Sequence, residues 1–337
     1  MNQPWREMIE PCWRRLIETY ADARVIGGFY ESRPRRRGDP KWAYNWGFGA
    51  LLACAGAICA QGASAVLTAS DWQRLEAGLL GYAKEGHGFS STTRLTRRPA
   101  GDTFYDDNAW VALAALDLEE QPYFHGIAEE LYRFLLQGWD AASGGVWWKE
   151  APRATLHVCS TGPVAVLASR LYRRRPDVVD LTPIWRMMSW LETMRTPDGR
   201  YWDNQRAADG RINHVLYTYN TGTPLQAMAL LEGVQGCRFE AQVRTSLQGA
   251  SLFLDGAGRL PDTPWFNAVL LRGILAVHQQ YGLTSSLWPV YAAAMDQALS
   301  EFRRSGLPLS LPSRDNRQGV LLRDAAASVE ILALLSR

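Results

Sequence analysis

The feature that most narrows the fold of this sequence is an alternation between two kinds of helical segment joined by two kinds of link. Apolar residues recur at helical spacing through roughly 5–23, 42–60, 70–84, 106–118, 123–137, 160–174, 181–194, 219–232, 239–253, 265–282, 286–303 and 322–336. That spacing predicts about a dozen helices and hardly any strand. Every second segment is built from small and apolar residues, as in "AWVALAALDL", "GPVAVLASRLY", "TPLQAMALL", "NAVLLRGILAV" and "DAAASVEILALL". A helix with no polar face has to be buried nearly all round. The others carry charges on one side, as in "EELYRFLLQ" and "DVVDLTPIWRMMSWLETMR", and suit an outer layer.

The links divide the same way. Those after the small-residue segments are short: "EEQP" (119–122), "RRPDVVD" (174–180), "GVQGC" (233–237) and "GLT" (282–284). Those after the charged segments are long and rich in Gly, aromatic and polar residues: 85–105, 138–159, 195–218 and 304–321. Short links make antiparallel hairpins, and long loops on a rigid scaffold carry function. Six hairpins closed into a ring, with the small-residue helices inside, give an all-α (α/α)6 barrel. It is expected to occupy 1–337 as a single domain with every long loop at one end. An open superhelical array would show a regular repeat period, and none is present.

Composition removes several function classes. The chain has 337 residues, 36 basic against 34 acidic, and a net charge of +2, so nothing in its balance asks for nucleic acid. The one basic run, "RPRRRGDPK" (33–41), lies in a Pro- and Gly-containing stretch and reads as a solvated connector. The five cysteines, Cys12, Cys54, Cys59, Cys159 and Cys237, show no metal-site spacing and are expected to be reduced core thiols. The N-terminal segment is charged throughout, and no run is long enough to cross a bilayer, so a cytoplasmic protein without a membrane partner is expected. HExxH, P-loop and GxSxG motifs are absent, and neither a metal nor a cofactor is expected.

If the inner helices run in parallel, their first residues meet at one mouth. Those starts are "KWAYNW" (41–46), "FYDDNAW" (104–110), "HVCSTG" (157–162), "YTYNTG" (217–222), "PWFN" (264–267) and "LLRDA" (321–325). Trp147 and Trp148 of "GGVWWKE", and Tyr201 and Trp202 of "GRYWDN", join them from the loops. Aromatic platforms mixed with amides and carboxylates suit a sugar, whose ring faces stack and whose hydroxyls need directed partners. The candidate glycan-binding residues are Trp42, Asn45, Tyr105, Trp147, Trp148, Trp202, Tyr219, Asn220, Trp265 and Phe266.

Inside "FYDDNAW", Asp106 and Asp107 stand side by side. One Asp in a first helical turn is ordinary, because it answers the exposed N–H groups and the helix dipole; a second beside it is repelled. A pair of carboxyls is what glycoside hydrolysis needs, one as nucleophile and one as acid/base for retention at a separation of about 5 to 5.5 Å, and adjacency favours that outcome. Each then needs surroundings that push the two pKa values apart, and Tyr105 is well placed to hydrogen-bond one of them if its ring turns inward. The DDxxD signature of terpene cyclases fails, because the fifth position is Trp110.

The segments "YDDNAW" (105–110), "GWDAASGGVWW" (138–148), "YTYNTGTPLQAMALL" (217–231) and "WFNAVLLRGILAV" (265–277), in that order, resemble glycoside hydrolase family 76, the bacterial and fungal α-1,6-mannanases. The resemblance runs from about residue 42 to 282 and more loosely to the end. It implies an (α/α)6 barrel and a retaining endo-acting hydrolase of α-1,6-mannosidic links. Carried onto this chain, Asp106 matches the nucleophile and Asp107 the acid/base, with Trp147, Trp148, Tyr219 and Asn220 near the sugar. Asn108 departs from an often acidic position, and "KEAPRATLH" (149–157) is basic where the family is Asn-rich. With no secretion signal, the expected partner is a mannooligosaccharide or related α-linked glycan.

Two other readings share the fold. A sugar epimerase wants paired histidines, and of His87, His125, His157, His214 and His278 only His157 and His214 fall in mouth loops. An unsaturated glucuronyl hydrolase belongs with it, and a non-catalytic glycan-binding protein would use the same groove.

Overall fold

The structure, a computed structural model, describes residues 3–84, 88–96, 101–177, 179–312 and 319–336. His87 and parts of the loops 85–105 and 304–321 lie outside the described residues. After a single turn, α1 (Gln3–Arg6), the chain alternates outer and inner helices. The outer ones are α2 (Ile9–Tyr20), α4 (Ala69–Leu80), α6 (Ile127–Leu135), α8 (Leu181–Thr193), α10 (Glu240–Ser251) and α12 (Trp288–Ser305). The inner ones are α3 (Asn45–Ala60), α5 (Tyr105–Asp117), α7 (Val158–Arg174), α9 (Thr218–Leu231), α11 (Pro264–Tyr281) and α13 (Leu322–Leu335). Each inner helix packs on the next, and α13 packs back on α3, which closes an (α/α)6 barrel.

The two rings differ for the reason the sequence suggests. Along α13 every residue from Leu322 to Leu334 is buried, whereas α2 buries only the stripe Ile9, Cys12, Trp13, Leu16 and Tyr20. Two of the six outer helices are capped by side chains. Thr68 and Asp71 form a capping box on α4, and Asp180 caps α8 through the Thr182 N–H at 2.8 Å. None of the six inner helices has an N-cap side-chain hydrogen bond, and their positive dipole ends converge on the mouth.

Small residues set how near the inner helices come. A methyl on Gly222 of α9 would sit 2.4 Å from the Val269 carbonyl oxygen, and one on Gly273 of α11 would sit 2.3 Å from that of Gly222. The two backbones are in direct contact there.

The expectation of hardly any strand is corrected by five short ones among the described residues. β1 (Ser32–Arg33) pairs antiparallel with β5 (Val320–Leu321). β2 (Thr155–His157), β3 (Trp202–Arg206) and β4 (Ile212–Leu216) form an antiparallel sheet in that order. The hairpin hid inside the 195–218 loop because its polar residues and "AADG" turn read as irregular chain. Its strands lie at the mouth and carry side chains the site uses.

Gly222→Ala and Gly273→Ala should each lower stability by about 1–3 kcal/mol, since overpacking at a backbone contact cannot be relieved by a rotamer change. Thermal melts of the two variants check this. An unchanged melting temperature would mean that the inner ring tolerates widening.

Candidate active site

The uncapped ends of α3, α5, α7, α9 and α11 surround a cavity of about 490 Å³. Asp106, Asp107, Trp148, Tyr219, Trp265 and Phe266 all line it, as do Tyr44, Trp46, Phe104, Trp110, His157, Cys159, Asp203 and Tyr217. The sixth end contributes from behind, with the Arg323 guanidinium 4.0 Å over the Trp46 ring.

Helix α5 begins at Tyr105, so Asp106 and Asp107 occupy its first turn, about 100° apart around the axis. The loops bolt this turn in place. Asn108, fully buried, accepts the Phe89 N–H at 2.7 Å and donates to the carbonyls of Phe89 at 3.0 Å and Phe104 at 2.7 Å. An acid at 108 could not make both donations, which gives a physical role to this departure from the family pattern. The Tyr105 N–H donates to the Trp148 carbonyl at 2.9 Å, tying the "GGVWW" segment to the helix start.

The two carboxyls differ in their partners. Asp106 accepts from the Trp148 indole at 3.2 Å and the Cys159 thiol at 3.4 Å on Oδ2, and from the Asp107 N–H at 3.0 Å on Oδ1. Burial raises its pKa above the usual carboxylate range, and these donors hold the rise down. Asp107 is raised well above that range, first by burial and then by the Asp106 charge. Of the two, Asp107 is shifted further toward its protonated form.

Asp203 is a third carboxylate on the wall, buried on β3. It accepts from Asn204 at 2.7 Å, Asn213 at 3.3 Å and Asn220 at 3.2 Å. Asn220 thus meets the cavity through Asp203. The sequence reading missed Asp203 and flagged its neighbour Trp202, which tilts over His214 at 4.6 Å and does not line the cavity. The pairing of β3 with β4 shifts register between Trp202 and Asn204, so no simple alternation marked Asp203 in the sequence.

The remaining candidates stand elsewhere. Tyr105 turns outward, against the expectation that it reaches an aspartate. Its ring stacks on Phe134 at 5.3 Å and its hydroxyl meets Arg153 at 3.4 Å, because the residue before Asp106 faces the outer layer. Trp147 packs on the core, one strand residue out of phase with Trp148. Trp42 stacks on Tyr30 at 5.5 Å under the Lys41 ammonium at 4.0 Å. Asn45 is buried at the start of α3, its side-chain amide without a hydrogen-bond partner among the described residues. Cys159 leaves the set of expected core thiols for the cavity wall, while Cys12 and Cys54 stay in the core. Of the two mouth histidines, His157 lines the cavity and His214 does not.

A carboxylate pair among aromatic rings at the mouth of an (α/α)6 barrel defines a carbohydrate-processing class of protein. Residues 39–301 match Glycosyl hydrolase family 76, and the chain belongs to that family. A family 76 glycoside hydrolase from a bovine Bacteroides thetaiotaomicron strain superposes with a TM-score of 0.81 at 22% identity, over 99% of this chain and 78% of that one. A family 76 mannosidase from Bacteroides thetaiotaomicron VPI-5482 gives 0.79 at 20%, over 99% and 98%. An inactive variant of the α-1,6-mannanase of Salegentibacter sp. HEL1_6, two adjacent aspartates replaced by asparagine, in complex with α-1,6-mannotriose, gives 0.73 at 20%, over 98% and 99%. Among curated proteins, the meiotically up-regulated gene 191 protein of Schizosaccharomyces pombe is 28% identical over 154 residues, 40% of this chain. That match spans only 34% of the yeast protein's length.

Because the Asp107 pKa is raised on folding, its ionisation costs stability above the ordinary carboxylate range and nothing below it, where folded and unfolded chains are both protonated. Asp107→Asn should therefore melt higher than the parent at neutral pH. The gain should vanish near pH 4, the carboxyl range of an unfolded chain. Melts across pH measure it, and a variant less stable at every pH would contradict the assignment.

Proposed function

We propose that the protein is a retaining glycoside hydrolase of α-1,6-linked mannooligosaccharides, with Asp106 as nucleophile and Asp107 as general acid/base. The observation that carries this reading is the unequal pair: Asp106 has three donors and is the more easily ionised, while Asp107 is held protonated by burial and by its neighbour's charge. Asp107 gives its proton to the glycosidic oxygen as Asp106 attacks the anomeric carbon, and the leaving alcohol departs. Asp107, now ionised, takes a proton from water, which releases the sugar from the Asp106 ester and restores both groups. The rings of Trp148, Tyr219 and Phe266, the last two stacked at 4.0 Å, supply apolar faces for the sugar.

The linkage is supported by the solved family members, one of them an α-1,6-mannanase bound to α-1,6-mannotriose in a variant inactivated at two adjacent aspartates. The epimerase reading loses its acid/base pair, because His214 stands over Trp202 and not in the cavity.

Asp106→Asn and Asp107→Asn should each lower kcat/KM on α-1,6-mannobiose by roughly three orders of magnitude or more. A substrate with an activated leaving group should restore the first step of Asp107→Asn and leave Asp106→Asn silent. NMR of the first-formed anomer checks retention, and inversion would sink the nucleophile role. The kcat/KM profile should be a bell, with its acid limb set by Asp106 above the usual carboxylate range and its alkaline limb by Asp107 higher still.

A further inference from the structure

The two oxygens of Asp106 are held differently. Oδ1 takes the local N–H of Asp107, whereas Oδ2 takes two side-chain donors from another part of the chain, Trp148 and Cys159. Both of those donors are braced by one imidazole. The His157 ring stacks on Trp148 at 5.2 Å with 23° between planes, and its Nδ1 lies 3.7 Å from the Cys159 sulfur. Its Nε2 is 2.9 Å from Thr155 Oγ1. Thr155 and His157 are fixed in turn by strand pairing with Arg206 and Asn204. The Tyr219 hydroxyl hydrogen-bonds Cys159 from α9.

The protonation states suit donation. Burial pushes the thiol well above its ordinary range, and the charges of Asp106 and Asp203 push the same way, so Cys159 stays an S–H. Burial holds His157 down to about 4, so it is a neutral ring. In the tautomer that suits this donation, the Thr155 hydroxyl donates to Nε2 and the ring carries its proton on Nδ1, facing the Cys159 sulfur as acceptor, which leaves the single S–H for Asp106. The groups facing Asp106 are Asp107 on α5, Cys159 on α7, His157 on β2, Tyr219 on α9 and Asp203 on β3. Burial opposes its ionisation, and the Cys159, Asp107 N–H and Trp148 donors support it.

We propose that Cys159 is a positioning residue for hydrolysis, its S–H holding Oδ2 of Asp106 while His157 and Tyr219 hold the thiol in that direction. The proposal rests on Asp106 being the nucleophile. A thiol is a weak donor, and that is its use here: it fixes the direction of the carboxylate while withdrawing less electron density than a hydroxyl or ammonium.

The test is a carboxyl-13C NMR titration of the whole protein labelled on aspartate, with the Asp106 signal assigned by its loss in Asp106→Asn. Cys159→Ala, and the better-filled Cys159→Val, should raise the Asp106 midpoint by about half a pH unit to one, because a hydrogen bond to the charged form is lost. The acid limb of kcat/KM on an aryl α-mannoside should move with it, and the value near neutrality should fall roughly three- to tenfold. Cys159→Ser, which restores a donor, should bring the midpoint back to the parent value or below it. Folded alanine and valine variants with an unmoved midpoint, or a serine variant no different from alanine, overturn the proposal. If the midpoint moves but the parent hydrolyses no mannoside, the hydrogen bond stands and the mannosidase reading falls. If the parent turns over and the midpoint stays, only the role of Cys159 falls.

Discussion

Backbone contact between the inner helices is the constraint on which the rest depends. At Gly222 and Gly273 the main chains of α9 and α11 touch, and a methyl on Gly162 of α7 would lie 2.1 Å from the Thr223 hydroxyl of α9. Contacts this close are made by small residues and dispersion, and where the helices stand further apart polar groups join them too, as in the ion pair of Arg272 on α11 with the buried Glu330 on α13 at 2.5 Å. The close contacts also fix the ring's width. Six helix starts separated by up to 280 residues of chain are thereby aimed at one place, and the width of the ring sets the 490 Å³ of the cavity.

Within that mouth, two identical side chains one position apart acquire opposite electrostatic fates. A turn of about 100° is enough to point Asp106 at the "GGVWW" segment and the start of α7, where donors are waiting, and to leave Asp107 without a donor among the described residues. Holding the second carboxyl buried beside the first costs stability above the ordinary carboxylate range, and the closed, densely packed barrel absorbs it. The cost is also what keeps a proton available near neutrality.

The helices and their ring order were legible because burial leaves a mark on composition: a segment such as "NWGFGALLACAGAICA" has no face to give to water. The carboxylate pair was legible because local sequence cannot explain its second member. The errors fall where one residue of phase decides a direction. Trp148 faces the cavity and Trp147 the core, Asp203 faces it and Trp202 does not, and Asp106 faces it while Tyr105 turns outward. Composition shows that such dipeptides matter, but only the pleat of a strand or the winding of a helix says which member points inward. His157 and Cys159 belong with these: their residue types gave no hint of shared work, since strand pairing and the start of α7 bring both beside Asp106.

The basic stretches can now be given their physical place. In "KEAPRATLH", Lys149 pairs with Asp102 at 2.7 Å, and Arg153 donates to the Gln137 carbonyl at 2.9 Å. Glu150 pairs with Lys84 at 3.3 Å. In the 33–41 run, Arg36 bonds the Gly319 carbonyl at 3.0 Å, Arg35 the Asp39 carbonyl at 2.9 Å, and Arg33 lies 3.5 Å over Tyr30. These charges serve as struts between loops. The charged side chains lining the cavity itself are Asp106, Asp107 and Asp203. An anionic sugar, such as an unsaturated uronide would present, meets those carboxyls with no lining cation among the described residues to receive its own carboxylate, and burying a charge without a partner is expensive. A neutral sugar meets the same groups as hydrogen-bond partners for its hydroxyls, with rings on either side to stack against. The charge distribution of the mouth therefore argues for a neutral glycan on grounds independent of the family to which the chain belongs.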